Sequence, residues 1–338
     1  MCSVLFVSLF AAVFLAQVDG GGHQSLEIIS STSTNNTSIA NDTKADESSS
    51  SANNNEENLS TSPSIDKPLP AASEIGCGQR SKDRWETKEL TGGLEDRAEY
   101  GEIPWMVAIF QMPFNDYGPP FLQHCCNGAL ISERAVLTTA YCLESYGGRA
   151  DRLLKDVRVR VGHTHPDYSD FSLINNIAVL ELANAVQYGP TIQPVCLPEK
   201  NFTIGYQENF IFSGWGETVK ATKPTKGHNL LKKVILRNTE WAVCKEEIAP
   251  YDPSHRINLH NSLVCATRQH EEIPCREDTG APVVAEVPNS EDRYYLHGLV
   301  SWGYHCRQKN RTSAALTNVR LFREWIDSTL TQIAVEAT

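Results

Sequence analysis

The chain has 338 residues and a formal net charge of −11, and 41% of its residues are hydrophobic. It has no basic stripe, which excludes nucleic acids and anionic lipids as electrostatic partners. No segment is both long and apolar enough to cross a membrane.

The first twenty residues have the pattern of a secretory signal peptide. An apolar run from Val4 to Val18 is too short for a bilayer span and suits a signal-peptide core. Cleavage after Gly20 places the small residue Val18 three positions from the cut. We therefore expect residues 1–20 to be removed from a secreted, extracellular protein.

Residues 21–76 are dominated by Ser, Thr and Asn, and eight acids outnumber two lysines. Such a segment cannot bury enough apolar surface to fold, so we predict a disordered arm. Glycosylation motifs are concentrated in it, and two more lie further along the chain. The candidate sites are Asn35, Asn36, Asn41, Asn58, Asn201 and Asn310.

From Trp105 onward, short apolar runs are separated by Gly, Pro, Asn and Asp, which is typical of an all-β sandwich or barrel pair. One helix is predicted at the C-terminal end, after a cap at Asn318. Its apolar positions recur at helical spacing. They are Phe322, Trp325, Ile326, Leu330 and Ile333.

Eight blocks in the order of a known family cover residues 77–338. They include CNGALISERAVLTTAYC (126–142), NNIAVLEL (175–182), SGWGE (213–217), CREDTGAPVV (275–284) and LVSWG (299–303). The chain resembles the chymotrypsin-like serine proteases and, within them, the non-catalytic homologues that arthropods secrete. The resemblance implies two packed six-stranded antiparallel β-barrels, a cleft between them and a C-terminal α-helix. The run from residue 157 to 168 is shorter than usual, so we expect a hairpin or edge strand of the first barrel to be missing.

The resemblance also implies four disulfide bonds, which indicate an oxidising compartment. The implied pairs are Cys77–Cys196, Cys126–Cys142, Cys244–Cys265 and Cys275–Cys306. A further family bridge is replaced by Phe210 and Ala285, where we expect apolar contact. Cys125 is left over, with two alternatives: a disulfide-linked dimer, or burial as a small hydrophobic side chain.

All three positions of the catalytic triad carry substitutions. A serine protease needs a histidine base, an acid that orients it, and a serine hydroxyl. This chain has Tyr141 in place of the base, Asn176 in place of the acid and Thr279 in place of the nucleophile. Tyrosine is a poor base at neutral pH, and an amide carries no charge to stabilise an imidazolium. We therefore predict a pseudoprotease.

The oxyanion site and the substrate pocket differ as well. Glu277 replaces a glycine of the oxyanion site and brings a negative charge towards the place where negative charge would develop. The pocket positions are Ile273, Gly303 and Ala314, a set that does not suit a Lys or Arg side chain. Asp278 is retained, but the activation segment KELTGG has no base directly before Leu90. We therefore expect Asp278 to lack a properly placed amine partner.

Histidines outside the triad positions do not rescue catalysis or predict a metal site. His163 and His165 have the alternate spacing of some metal ligands, but no third ligand accompanies them at a diagnostic spacing. His124 precedes Cys126 near the expected cleft, and nothing suggests that it reaches Thr279. No metal or other cofactor is predicted.

The sequence leaves three functions open. The first is a binding cofactor, adaptor or decoy in an extracellular proteolytic cascade of the innate-immunity or melanisation type, with a serine protease or its substrate as partner. The second is an adhesive or pattern-recognition glycoprotein that works through residues 21–76. The third is a residual serine-type hydrolase that uses Thr279.

Overall fold

The protein is represented by a computed structural model. It describes residues 2–5, 76–80, 97–111, 123–146, 159–200, 208–216, 231–248, 260–269, 272–302 and 312–336. The chain divides into two units, and all of these residues belong to the unit formed by Met1–Leu9 and Pro70–Thr338. The predicted glycosylation sites and Gly303 lie outside the described residues.

Six antiparallel strands form the first sheet, in the order β1-β2-β3-β4-β6-β5. Five of them follow one another along residues 106–182. The strands are β1 (Cys2–Leu5), β2 (Met106–Gln111), β3 (Gln123–Ser132), β4 (Ala135–Thr138), β5 (Val159–Thr164) and β6 (Ala178–Leu182). The remaining strand, β1, comes from the predicted signal peptide, and it contacts β5 as well as pairing with β2.

The second set of six strands forms a closed antiparallel barrel in the order β10-β11-β12-β9-β8-β7. Closure leaves no free sheet edge within this barrel. The strands are β7 (Asn209–Gly214), β8 (Lys232–Thr239), β9 (Leu263–Arg268), β10 (Pro282–Glu286), β11 (Tyr294–Trp302) and β12 (Ser313–Asn318). The predicted all-β class, with its barrel architecture, is confirmed.

Three α-helices are described: α1 (Ala140–Tyr146), α2 (Trp241–Ile248) and α3 (Arg323–Glu336). The predicted C-terminal helix is present, and Ile326 and Ile333 are buried along it. The predicted cap is wrong. The side chain of Asn318 makes no capping hydrogen bond and instead donates to the carbonyl of Asn261, and a 3₁₀ turn (Val319–Phe322) precedes the helix.

Aromatic stacking occupies the place of the missing family bridge. Phe210 and Ala285 lie on β7 and β10, which pair with each other, and both side chains are buried. Phe210 stacks on the ring of His297 with their centroids 4.2 Å apart. Burial lowers the pKa of His297 to about 3, so this imidazole is neutral in the folded protein at physiological pH.

Residues 76–80 anchor the N-terminal part of the chain to the body. Cys77 is bonded to Cys196. The guanidinium of Arg80 donates to Asp292 (2.8 Å), to the hydroxyl of Tyr294 (2.6 Å) and to the buried Glu102 (3.3 Å). Residues 76–80 are therefore held by one covalent bond and by a shared cation.

Candidate functional site

The three substituted positions are each placed by a different element. Tyr141 is in the first turn of α1, Asn176 lies two residues before β6, and Thr279 follows a 3₁₀ turn at Arg276–Asp278. The backbone N–H of Asn127, on β3, donates to the backbone carbonyl of Thr279 at 2.9 Å. This bond joins the first sheet to the turn that carries Thr279.

Asn176 is fully buried and its amide has partners on both sides. Its Oδ1 accepts from the backbone N–H of Tyr141 at 2.9 Å. Its Nδ2 donates to the hydroxyl and the carbonyl of Ser301, at 2.9 and 3.2 Å. Because the amide is neutral and both of its ends are engaged, it holds the fold together at this point and cannot balance a charged base.

The hydroxyl of Thr279 points back into its own turn. Oγ1 donates to the carbonyl of Arg276 at 2.7 Å, and the backbone N–H of Thr279 reaches the same carbonyl at 3.3 Å. The hydroxyl proton and the amide that an oxyanion would need are thus both committed to Arg276.

Gly280 allows the chain to turn directly after Thr279. Its φ is +80°, and an added Cβ would lie 2.2 Å from the carbonyl oxygen of Asn127. Only glycine fits this position without displacing β3. The close packing of the turn against β3 therefore depends on Gly280.

The backbone at Glu277 is fixed by Asn127, which the sequence analysis did not single out. Nδ2 of Asn127 donates to the carbonyl of Glu277 at 3.1 Å, and its Oδ1 lies 3.1 Å from Nε2 of His124. Burial holds the pKa of His124 below its ordinary value, although Asn127 and the charge of Asp278 oppose the shift. His124 is therefore a partner of Asn127 in this geometry. The sequence signal that could have revealed Asn127 is a polar residue within the apolar run of β3.

Asp278 has a side-chain amine as its partner, that of Lys232. The activation segment, on which the expectation about its amine rests, lies outside the described residues. Nζ of Lys232 lies 2.6 Å from Oδ2, and both side chains are buried. The N–H of Gly216 donates to Oδ1 at 2.7 Å, and the N–H of Cys275 donates to Oδ2 at 2.9 Å. A buried carboxylate is stable when it is paired and hydrogen-bonded in this way.

The position of Lys232 explains why the sequence did not reveal it. The residue begins β8, where buried and partly buried side chains alternate, and Lys232 takes a buried place in that pattern. Its neighbour Lys233 is partly exposed and pairs with Glu102 at 2.9 Å. The strand therefore directs one lysine inward, to Asp278, and the next towards the surface.

Two of the three predicted pocket positions are described. Ile273 and Ala314 are both buried. Ile273 lies on the segment leading to Cys275, and Ala314 lies on β12, paired with Ala266. Both side chains are uncharged, and the predicted lack of Lys or Arg specificity stays a prediction.

Disulfide bonds brace the elements around the site. Cys126–Cys142 connects β3 to α1, Cys244–Cys265 connects α2 to β9, and Cys77–Cys196 holds the N-terminal anchor. Cys275 is also disulfide-bonded, and its predicted partner, Cys306, lies outside the described residues.

Cys125 is buried, and its Sγ donates to the carbonyl of Ile109 at 3.3 Å. This geometry favours the second alternative, a small side chain packed in the core. A thiol enclosed in this way is poorly placed to bond to another chain.

The two histidines with alternate spacing have separate surroundings. Nε2 of His163 lies 3.9 Å from the buried carboxylate of Glu181. The ring of His165 packs against Phe322 and Trp325, with both centroid distances 5.2 Å. Within the described ranges, no group of three or more His, Cys, Asp or Glu side chains could hold a metal ion.

Comparison with known proteins gives consistent matches. The Trypsin family matches residues 93–326. Phenoloxidase-activating factor 2 of Galleria mellonella is 28% identical over 301 residues, which cover 81% of this chain and 96% of that protein. Inactive CLIP domain-containing serine protease A8 of Anopheles gambiae is 32% identical over 253 residues, covering 70% of this chain and 67% of that protein.

A vertebrate protein also matches over the same region. Inactive serine protease PAMR1 of Bos taurus is 25% identical over 256 residues, which cover 66% of this chain but 35% of that protein. In the part of the chain that the structure describes, no helix is long and apolar enough to span a membrane.

Proposed function

We propose that this chain, which belongs to the trypsin family, is a secreted non-catalytic homologue. We propose further that it acts by binding. Its role is that of a cofactor, adaptor or decoy in an extracellular proteolytic cascade. The partner that we propose is a serine protease or the substrate of one.

The observation that carries this proposal is the closed arrangement around Thr279. Its hydroxyl and its N–H both donate to Arg276, and no base occupies the position of Tyr141. Hydroxyl activation and oxyanion stabilisation are separate contributions to acyl transfer. The engagement of both Thr279 donors with Arg276, within a retained protease fold, supports binding over catalysis.

The relatives support a role in a cascade. One is named as an activating factor for phenoloxidase, and another is named as an inactive serine protease. The retained protease fold is the part of the molecule that we propose as the binding body. Melanisation or a related innate immune response is the setting that we propose.

Absence of catalysis is tested by labelling. The full-length secreted protein is treated with a fluorophosphonate probe beside an active serine protease, and we expect no labelled band. Labelling that is lost in Thr279→Ala would support the residual hydrolase instead.

Binding is tested by adding the secreted protein to a reconstituted protease and its zymogen substrate. We expect the rate of zymogen cleavage to change in proportion to the added protein. A variant without residues 21–76 should retain the effect. Loss of the effect in that variant would support the glycoprotein alternative.

A matched pair of surface variants locates the binding face. Phe171, five residues before Asn176, has a side chain that is 63% exposed, and Val335, on α3, is 69% exposed. Phe171→Ser should weaken partner capture, whereas Val335→Ser should not. Equal effects would place the interaction away from Phe171.

A further inference from the structure

The strand β1 lies at a seam of the first sheet. It pairs with β2 in antiparallel register, from Cys2 opposite Gln111 to Leu5 opposite Ala108. It also contacts β5, the strand at the other end of the sheet order. A segment of four residues therefore lies between the two outer strands contributed by residues 106–182.

Secretion would remove this segment. The sequence predicts cleavage after Gly20, which separates Cys2–Leu5 from the rest of the chain. The run between residues 157 and 168 is short, and β5 continues into its pairing with β6. Once β1 leaves, β2 retains β3 as its described partner, and the backbone groups along its other side lose theirs.

The sequence of β2 lacks the residues that usually protect a strand edge against strand addition. Its sequence, MVAIFQ, contains no charged residue and no proline. Val107, Ala108 and Ile109 are buried when β1 is in place. By contrast, β5 has the exposed Arg160 on its surface. An uncharged edge of this length is a template for another strand.

We propose that β2 is the docking edge for an extended segment of another extracellular protein, which adds an antiparallel strand in the place of Cys2–Leu5. This inference rests on the proposed secretion and names a binding site for the proposed function. Strand addition gives affinity through main-chain hydrogen bonds, and alternate side chains give specificity.

The chemistry of the occupant follows from the segment that occupies the seam. Cys2–Leu5 is uncharged, and its residues are small or aliphatic. A partner strand should share these properties, because its inward side chains would meet the buried face of β2. Residues 21–76 are rich in Asn, Asp and Glu, which are depleted in strands, so a strand from a partner is favoured over the protein's own residues 21–76.

The experiment uses the full-length protein purified after secretion, with its N-terminus sequenced. The probe is a fluorescent peptide of residues 2–7 with serine in place of Cys2. The control peptide has proline in place of Val4, since proline cannot donate to the ladder. Binding is measured by anisotropy, and amide hydrogen exchange is followed along β2.

We expect saturable binding, at least about tenfold weaker binding of the proline peptide, and slower exchange of β2 amides with peptide present. Absence of binding would overturn the inference. So would β2 amides that are protected before peptide is added, because the protein's own arm would then fill the seam. A retained leader would also overturn it. If the peptide does not bind but the protein still changes the rate of zymogen cleavage, docking at β2 is refuted and the proposed function is not.

Discussion

Replacing Lys232 by methionine tests whether the buried lysine stabilises the turn that precedes Thr279. Methionine keeps the length and most of the volume of the side chain and removes the charge. Asp278 would retain its two backbone donors, Gly216 and Cys275, but would have no cation within reach in the described structure. Removing one partner of a buried ion pair costs about 3–5 kcal/mol.

Lys233→Met is the matched control, because it changes the adjacent residue in the same way. Lys233 is partly exposed, and its partner Glu102 also accepts from Arg80 and from the backbone of Glu99. We expect this variant to lose about 1 kcal/mol or less. The assay is urea unfolding of both secreted variants with their disulfides intact.

A double-mutant cycle with Asp278→Asn completes the test. If the two charges depend on each other, the double variant should be markedly more stable than the sum of the single effects predicts. If Lys232→Met and Lys233→Met unfold at the same urea concentration, the reasoning is refuted. Asp278 would then be held by its backbone donors alone.

The remaining predictions concern catalysis, pH and the disulfides. The triad is restored by Tyr141→His, Asn176→Asp and Thr279→Ser, and this variant should give no acyl-enzyme burst on ester substrates. Adding Asn127→Gly and Glu277→Gly should raise its turnover by about 10²-fold or more. Strong turnover without those two additional changes would contradict this prediction. Because the pKa of His297 is lowered on folding, the unfolded state binds one more proton than the folded state below about pH 6.5. Through this residue, the equilibrium constant for folding should fall about 30-fold by pH 5. His297→Leu should remove that share of the acid sensitivity in urea titrations at pH 7 and pH 5, and an unchanged pH dependence would show that His297 does not titrate on unfolding. Cys142→Ala should sharply reduce secretion, since a native bridge contributes about 2–5 kcal/mol, while Cys125→Ala, which breaks no bridge, should be secreted normally; equal secretion of both would count against the bridge.

The sequence predicted strands from short apolar runs between turn residues. The segments at β9 and β12, LVCATR and SAALTN, end in polar or charged residues and were not among those runs. Their strand structure depends on closing the barrel, which a local pattern does not encode. The seven residues of α1 were missed as well, because a helix of this length depends on tertiary contacts.

The residue types at the triad positions could be read from the sequence, but their partners could not. Asn176 and Ser301 are 125 residues apart, and Lys232 and Asp278 are 46 residues apart. No periodicity connects such pairs, and the fold alone brings them together. For this reason the loss of the base was predictable, whereas the closed turn at Thr279 and the buried lysine were not.

The anchor at residues 76–80 has a mechanical consequence. A force applied to the chain before Cys77 would enter the body through the bond between Cys77 and Cys196. Cys196 pairs with Tyr295 on β11, and the other end of that strand contains Ser301, the partner of Asn176. The load would therefore pass into a strand of a closed barrel, whose neighbours on both sides resist sliding.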